Sequence, residues 1–193
     1  MLYNFGMNLI LASNSPRRKD ILTRAGYDFE IVPSNYDEKI CGLDYSKELV
    51  ENCAYNKALD VAGRLTGEFI IIGADTVVVS DNIILGKPKN EEDAFNMLQK
   101  LSDKTHFVAT SVCIIASSGK TVKDTDKTFV TFRKLSDNDI LSYIKHSKPL
   151  DKAGSYGIQD PGFDFAIKIE GELDNVIGFP LKLFKNMYEL INQ

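Results

Sequence analysis

The segment FIIIGADTVVV, residues 69–79, places a single carboxylate inside an otherwise apolar run. Such a run, rich in isoleucine and valine, is typical of a buried strand. An unpaired carboxylate is costly to bury, so Asp75 needs a partner, a metal ion or a turn. Two interpretations stay open. Either Gly73 forms a bulge and Asp75 bonds to the backbone, or Asp75 lies at the mouth of a cleft and acts as a base or a metal ligand.

Strand and helix patterns alternate on both sides of this segment. The predicted strands cover residues 7–12, 28–34, 69–79, 105–117, 121–135 and 165–171. Two predicted helices cover residues 46–64 and 180–191, and three more begin after the N-caps Ser15, Asn90 and Ser136. A turn is expected at Ser80-Asp81-Asn82. We therefore predict an α/β fold with a mixed sheet, in which the long hairpin over 105–135 separates two lobes.

The length and composition are typical of a single globular domain. A chain of 193 residues suits one large domain or one domain with two lobes, and we predict a single domain over 1–193. With 44% apolar and 26% charged residues, the chain can form a sizeable core. The formal net charge of −4 argues against a general nucleic-acid binder, because such domains usually carry a basic face.

The expected compartment is the cytoplasm. The N-terminal segment lacks the basic region of a signal peptide, and no apolar run is long enough to span a membrane. The three cysteines are widely spaced, odd in number and without the spacing of a metal knuckle. Free thiols in a reducing environment explain them best, and no membrane partner is expected.

The segment SNSPRRKDILTRAG, residues 13–26, begins a helix with two adjacent cations. The positive end of the helix dipole disfavours Arg17 and Arg18 in the first turn, and an anionic ligand would reverse that effect. Together with Ser13, Ser15 and the first-turn amides, an arginine fork can form a phosphate-binding site. The alternative is a capped surface helix with two solvated arginines.

Three other charged positions are candidates for the same site. Lys87 ends a strand just before a proline, where a lysine can bind phosphate as a point charge or simply be exposed. Lys57 lies within the apolar face of the helix over 46–64, so it can also extend to the surface along its aliphatic stem. Asp37 and Glu38 lie in a polar connector, where acids are usually solvated.

The loop DKAGSYGIQ, residues 151–159, combines small residues with groups that can recognise a base. Its glycines permit close approach of the backbone to a ligand, Tyr156 can stack on or wall a planar ring, and Gln159 offers one donor and one acceptor. An ordinary turn is the alternative. His106 and His146 have no partners at metal-ligand or triad spacing, so we predict structural or surface roles for both.

Five motifs in this order resemble those of the Maf family of nucleoside-triphosphate pyrophosphatases. They are SNSPRRK at 13–19, GADTVV at 73–78, GKP at 86–88, DKAGSYGIQ at 151–159 and GFPL at 178–181. The resemblance covers about residues 8–190. GADT and KAGSYGIQ are similar to the branch that acts on dTTP and UTP, with Ser155 where that branch has alanine. The resemblance implies a two-lobed α/β fold with an elongated sheet and a central cleft.

It further implies hydrolysis of dTTP or UTP to the monophosphate and pyrophosphate with Mg²⁺ or Mn²⁺, and a homodimer. The implied catalytic residues are Asp75, as the proton acceptor, and Lys87. Arg17, Thr76 and Gln159 fall where the family discriminates substrates. Ser13, Ser15, Arg18 and Lys57 correspond to phosphate contacts, and Glu38 with Asp75 to metal contacts, although Asp37 could replace Glu38.

Two rival functions remain for such a sequence. One is a non-catalytic nucleotide-binding regulator linked to cell division, because a fold does not determine an activity. The other is a phosphatase that removes only the terminal phosphate. Asp75 argues against the pure binder, because a binding protein gains nothing from an acid beside a triphosphate.

Overall fold

The computed structural model describes residues 8–192, so the predicted strand start at Met7 lies outside the described residues. The strands are β1 Asn8–Leu11, β2 Glu30–Ile31, β3 Phe69–Ser80, β4 Ile83–Leu85, β5 Thr105–Ala116, β6 Thr121–Phe132 and β7 Ala166–Glu170. The helices are α1 Pro16–Arg24, α2 Lys47–Ala62, α3 Glu91–Leu101, α4 Asp137–Ser147, α5 Leu173–Ile177 and α6 Leu181–Ile191. Two short 3₁₀ turns, Pro149–Asp151 and Ala153–Ser155, lie between α4 and β7.

Local side-chain hydrogen bonds begin four of these helices as predicted. The four N-caps are Ser15, Ser46, Asn90 and Ser136, each accepting from a backbone N–H three residues further on. Such a cap replaces an intrahelical bond that the first turn cannot make. The predicted β3–β4 turn is also confirmed, because Asp81 and Asn82 both have positive φ, as a two-residue hairpin loop requires.

The sheet is mixed and elongated, with the order β2-β1-β3-β5-β6-β7 and with β4 paired to β3. β1 is parallel to β2 and β3, and the other pairs are antiparallel. One edge of β3 is shared by two short strands: β1 ends opposite Ile72, and the antiparallel β4 ends opposite Val78. Within residues 8–192, the edge over 73–77 therefore has no strand beside it, which leaves a gap in the sheet.

Two strand predictions need correction. The predicted strand over 28–34 is reduced to two residues, because the neighbouring strand β1 ends at Leu11, which pairs with Ile31. The bulge at Gly73 is absent, since β3 pairs with β5 in continuous register from Ile70 to Val79. Gly73 instead allows α2 to approach closely: a Cβ there would lie 2.1 Å from the carbonyl oxygen of Ala54.

One face of the sheet carries two apolar cores. The α1 core includes Leu11, Ile21, Leu22, Ile72, Ala74, Val112, Ile114, Phe179 and Phe184. The α4 core includes Val78, Leu98, Val108, Val130, Phe132, Ile140, Tyr143 and Tyr156. Strand β5 contributes to both cores, so the β5–β6 hairpin is common to the two ends of the molecule.

Helix α5 was not predicted, and it lies where the two cores meet. Val176 packs against the α4 core and Ile177 belongs to the α1 core. The helix ends at Gly178, whose φ of +126° is a conformation that favours glycine. Five residues without a side-chain N-cap carry too little periodicity to be recognised from sequence.

The cysteine prediction agrees with the structure: Cys41 is exposed, Cys53 and Cys113 are buried, and all three are free. Among residues 8–192, no helix combines the length and the apolar character that a membrane crossing requires.

His106 is structural, as predicted, and is expected to make the fold sensitive to acid. Its ring is 2% exposed, Nε2 lies 2.8 Å from the Tyr156 hydroxyl, and burial lowers the pKa of His106 to about 4. The unfolded chain binds this proton near pH 6.5 and the folded chain does not, so stability is lost as the pH falls from about 6.5 toward 4.

We expect His106 to account for about 2 kcal/mol of the stability lost between pH 7.5 and pH 5. His106→Gln keeps a hydrogen-bonding group but does not titrate, so urea unfolding of this variant should show a shallower pH dependence. The same variant of His146, which is exposed, serves as the control. An unchanged pH dependence in His106→Gln would contradict the assignment.

Candidate active site

The gap beside β3 opens into a cavity of about 310 Å³. Its wall combines the start of α1, the connector before α2, strands β3 and β4, the loop over 151–160 and the end of α5. Nine of the ten predicted site residues line it: Ser15, Arg17, Arg18, Glu38, Lys57, Asp75, Thr76, Lys87 and Gln159. Ser13 is not part of the wall, because its hydroxyl lies behind Arg18 and accepts from that side chain.

Arg18 is a buried cation held by three neutral oxygens. Its Nε donates to the Gly178 carbonyl at 3.0 Å, Nη1 to Ser13 Oγ at 3.1 Å and Nη2 to Thr76 Oγ1 at 3.1 Å. Its side chain is only 9% exposed, yet no carboxylate among residues 8–192 forms a salt bridge with it. The solvated alternative is therefore wrong for Arg18.

The helix start around Arg18 has fewer spare amides than predicted. Pro16 has no N–H, and the Arg18 amide donates to Ser15 Oγ at 3.5 Å. Ser13 Oγ accepts from the Ser15 amide and from Arg18, so both of its acceptor sites are used. The positive charge at this wall therefore comes mainly from the guanidinium.

Asp75 forms an ion pair with a lysine of α2. β3 places Asp75 on the face of the sheet that α2 covers, and Lys57 Nζ donates to Asp75 Oδ1 at 2.7 Å and to the Ala74 carbonyl at 3.4 Å. The same ammonium also contacts Glu38. Lys57 is 8% exposed, so it does not extend to the surface, and it links the two carboxylates.

The two carboxylates of this cluster differ in their proton affinity. Burial raises the pKa of Asp75, although the charges of Lys57 and Arg18 act in the opposite direction. Burial also acts to raise the pKa of Glu38, but the ammonium of Lys57, together with the charge of Lys87 and a hydrogen bond with Asp75, lowers it overall. Two acids with separated proton affinities are a pattern of acid–base sites.

The loop over 151–160 forms another wall of the cavity and contains ion pairs. Arg17 Nη1 lies 3.0 Å from Asp151 Oδ2 at the cavity surface, so Arg17 is partly engaged by this acid. Lys152 Nζ contacts Asp151 at 3.0 Å and Asp160 at 3.5 Å. The Tyr143 hydroxyl donates to Asp160 and accepts from the Gly157 amide, which ties the loop to α4. Sequence analysis missed the roles of the two aspartates, because no local pattern marks them.

The side chains proposed for base recognition differ in how far contacts within the protein already engage them. Gln159 is exposed, and its side chain makes no hydrogen bond to the described part of the chain. Tyr156 walls the cavity, but its ring already stacks on Phe163 at 5.5 Å between centroids. Lys87 is exposed at the rim, as the simpler interpretation of its sequence position also predicts.

The charges of the cavity wall suit an anion that binds together with a metal cation. Five basic and four acidic side chains line the cavity, an excess of one positive charge, which cannot neutralise a triphosphate. Glu38 and Asp75 converge on one ammonium, and residues 8–192 contain no group of three or more His, Cys, Asp or Glu side chains able to hold a metal ion. Two carboxylates fit Mg²⁺, which usually uses one or two together with substrate phosphates and water.

Comparison with known proteins identifies the relatives of this chain. It is 44% identical over 188 residues to the dTTP/UTP pyrophosphatase of Ruminiclostridium cellulolyticum, which covers 96% of this chain and 97% of that protein. It is 48% identical over 174 residues to the dTTP/UTP pyrophosphatase of Alkaliphilus metalliredigens, with 90% of each chain covered.

A solved structure with a more distant likeness is the nucleoside-triphosphatase or dITP/XTP pyrophosphatase of Mycobacterium abscessus. The sequence identity is 12%, the TM-score is 0.47, and 95% of this chain and 94% of that chain are covered. The family model described as Maf-like protein matches residues 8–191 of the 193. The order of the five motifs, the cavity that collects them and this match agree: the chain belongs to the Maf family.

Proposed function

We propose that this protein hydrolyses dTTP and UTP to the corresponding monophosphate and pyrophosphate. The relatives named dTTP/UTP pyrophosphatase support the reaction and the substrates. The observation that carries the proposal on this chain is Arg18: a buried cation at a cavity wall, without a carboxylate partner among the described residues. A buried charge is costly unless it is paired, and an anionic ligand would pair it.

Arg18 has hydrogen-bonding capacity left for that ligand. A guanidinium carries five N–H bonds, and three of them donate to Ser13, Thr76 and Gly178. The remaining two suit phosphate oxygens, which bind arginine forks well. Arg17 and Lys87 add positive charge at the wall, and Arg17 would exchange Asp151 for a phosphate group.

Asp75 is the proton acceptor of the proposed reaction. The oxygen of one water forms a bond to a phosphorus of the α–β phosphoanhydride, and the bond from that phosphorus to the bridging oxygen breaks. The monophosphate and pyrophosphate separate, while a proton of the water passes to the Asp75 carboxylate. Lys57 holds that carboxylate in place at 2.7 Å, and burial gives it a higher pKa than an exposed aspartate has. Glu38, whose pKa is lowered, remains ionised and is the better anchor for a cation.

The proposal includes a divalent cation, Mg²⁺ or Mn²⁺. Glu38 and Asp75 would hold it together with the phosphate oxygens, and it would supply positive charge that the wall lacks. A homodimer, which the family resemblance implies, and a cytoplasmic location, which the N-terminal segment and the free cysteines favour, remain part of the proposal.

One product assay tests the function against its rivals. The purified protein is incubated with UTP and Mn²⁺, and the products are separated. UMP with pyrophosphate is the expected result. UDP with orthophosphate would identify the terminal phosphatase, and UTP binding without any turnover would identify the non-catalytic regulator.

Gln159 is expected to favour uracil and thymine over cytosine. Its amide can match one carbonyl and the imide N–H of these bases, whereas cytosine requires the amide to flip. No described neighbour holds the Gln159 amide in one orientation, so the amide can flip to pair with cytosine. We therefore expect kcat/KM for UTP to exceed that for CTP about tenfold, the low end of the range for a mismatched polar group.

The measurement is kcat/KM for UTP, dTTP, CTP and GTP. UTP and dTTP should lead in the wild type, and their lead over CTP should shrink in Gln159→Ala. Gln99→Ala on α3, which does not line the cavity, is the matched control. Equal rates on all four nucleotides, or an unchanged ranking in Gln159→Ala, would contradict this role.

A further inference from the structure

The Thr76 hydroxyl is already engaged by three protein groups. Its Oγ1 accepts from Arg18 Nη2 at 3.1 Å and lies 3.3 Å from the Gly178 carbonyl, which can accept its proton. A third contact, at 3.1 Å, joins it to Thr110 Oγ1. One proton and two lone pairs are all that a hydroxyl offers. Thr76 therefore acts on a nucleotide through Arg18 and Gly178.

Thr110 connects this hydroxyl to the interior. It lies on β5 directly opposite Thr76, is fully buried, and is not part of the cavity wall. Its hydroxyl lies 3.1 Å from Thr76 Oγ1 and 3.0 Å from the Asn175 carbonyl, so its single proton serves either β3 or α5. Thr110 bridges these two elements when it donates to the Asn175 carbonyl and accepts from the Thr76 hydroxyl.

Helix α5 is fastened to the sheet at the same place. The Asn175 amide donates to the Val108 carbonyl and to Thr128 Oγ1, both at 3.0 Å. Three residues later the helix ends at Gly178, whose carbonyl accepts from Arg18 Nε. The position of the Arg18 guanidinium therefore depends on where α5 and Thr76 are held.

We propose that Thr110 is a positioning residue for the triphosphate site. It holds Thr76 and α5 so that Arg18 keeps its two remaining N–H bonds directed at the substrate. This inference rests on the proposed function and extends it to a residue outside the cavity. Substrate binding, and not the chemical step, should depend on Thr110, because Asp75 lies on the opposite face of β3 from Thr76.

The experiment compares Thr110→Val with Thr110→Ser. Valine has nearly the volume of threonine but no hydroxyl, whereas serine keeps the hydroxyl. We expect Thr110→Val to raise KM for UTP about three- to tenfold, as for one lost neutral hydrogen bond, with kcat within about twofold of wild type. Thr110→Ser should recover most of the lost affinity.

A double-mutant cycle separates positioning from a general loss of packing. In an Arg18→Ala background, Thr110→Val should no longer change KM, because the group that it positions is absent. An unchanged KM in Thr110→Val, equal losses in both Thr110 variants, or a full effect in the Arg18→Ala background would each overturn the inference.

Failure of the proposed function would be visible separately. If wild type binds UTP without forming UMP and pyrophosphate, the function is wrong, and the same variants are compared by the thermal shift that UTP produces. A weaker shift in Thr110→Val alone would still support positioning, and equal shifts would overturn it. If wild type neither hydrolyses nor binds UTP, both proposals are wrong.

Discussion

Asp75→Asn is expected to lower kcat for UTP by about 10²-fold or more while the protein folds normally. Asparagine has the same shape and still offers an oxygen to Lys57 Nζ, which lies 2.7 Å from Asp75 Oδ1. It cannot accept the proton of the attacking water, a contribution typically of about 10²–10⁴-fold. Steady-state kinetics with thermal unfolding would separate lost catalysis from lost stability.

Glu38→Gln distinguishes the two acids of the cluster. If Asp75 is the proton acceptor, Glu38→Gln should mainly raise the Mg²⁺ or Mn²⁺ concentration needed for half-maximal rate, with a smaller loss of kcat. Asp126→Asn on β6, which does not line the cavity, is the matched control. Near wild-type turnover in Asp75→Asn, or an equal loss of kcat in Glu38→Gln, would show that the assignment is wrong.

The same assignment predicts the pH profile. A base works only when deprotonated, so kcat should rise with pH through the pKa of Asp75, which burial raises. Asp75→Asn should lose this acidic limb of the profile. A limb that persists in the variant would assign the titration to another group.

Arg18→Ala is expected to weaken the binding of UTP by about 1.5–3 kcal/mol, the range for hydrogen bonds to charged groups. This corresponds to a rise in KM of about 10- to 150-fold and a much smaller thermal shift on adding UTP. The loss is large because Arg18 is buried and its three protein hydrogen bonds are to neutral groups, so the ligand would be the anion that it contacts directly.

Two further substitutions on α1 serve as comparisons for Arg18→Ala. Lys19→Ala removes an exposed cation from the next position of α1 and should leave KM unchanged. Arg17→Ala should have a smaller effect than Arg18→Ala, because Arg17 is partly solvated and already paired with Asp151. Equal KM values in wild type and Arg18→Ala would remove the phosphate-binding role of this arginine.

Much of the fold follows from short-range patterns. The caps at Ser46, Asn90 and Ser136 act within one helical turn, and the two-residue turn after β3 depends on Asp81 and Asn82 alone. The apolar run around Asp75 is a strand because its own residues favour one. Such features are readable from sequence because the interacting groups are close along the chain.

The five motifs also indicated most of the cavity wall before any geometry was known. They could not show that Ser13 supports Arg18 from behind, or that Arg17 faces Asp151. Helix α5 was missed although its C-cap, Gly178, begins one of the motifs. A helix of five residues is held by contacts with the sheet and has little pattern of its own.

The burial of Asp75 in a strand and the two arginines at the start of a helix follow from neighbouring residues. Their partners depend on tertiary packing: Lys57 lies 18 residues from Asp75 along the chain, and the Gly178 carbonyl lies 160 residues from Arg18. These contacts depend on the sheet order, on the gap beside β3 and on which face α2 covers. Local propensity acts over a few residues, whereas a buried charge takes whichever partner the packing of distant elements brings within hydrogen-bonding distance.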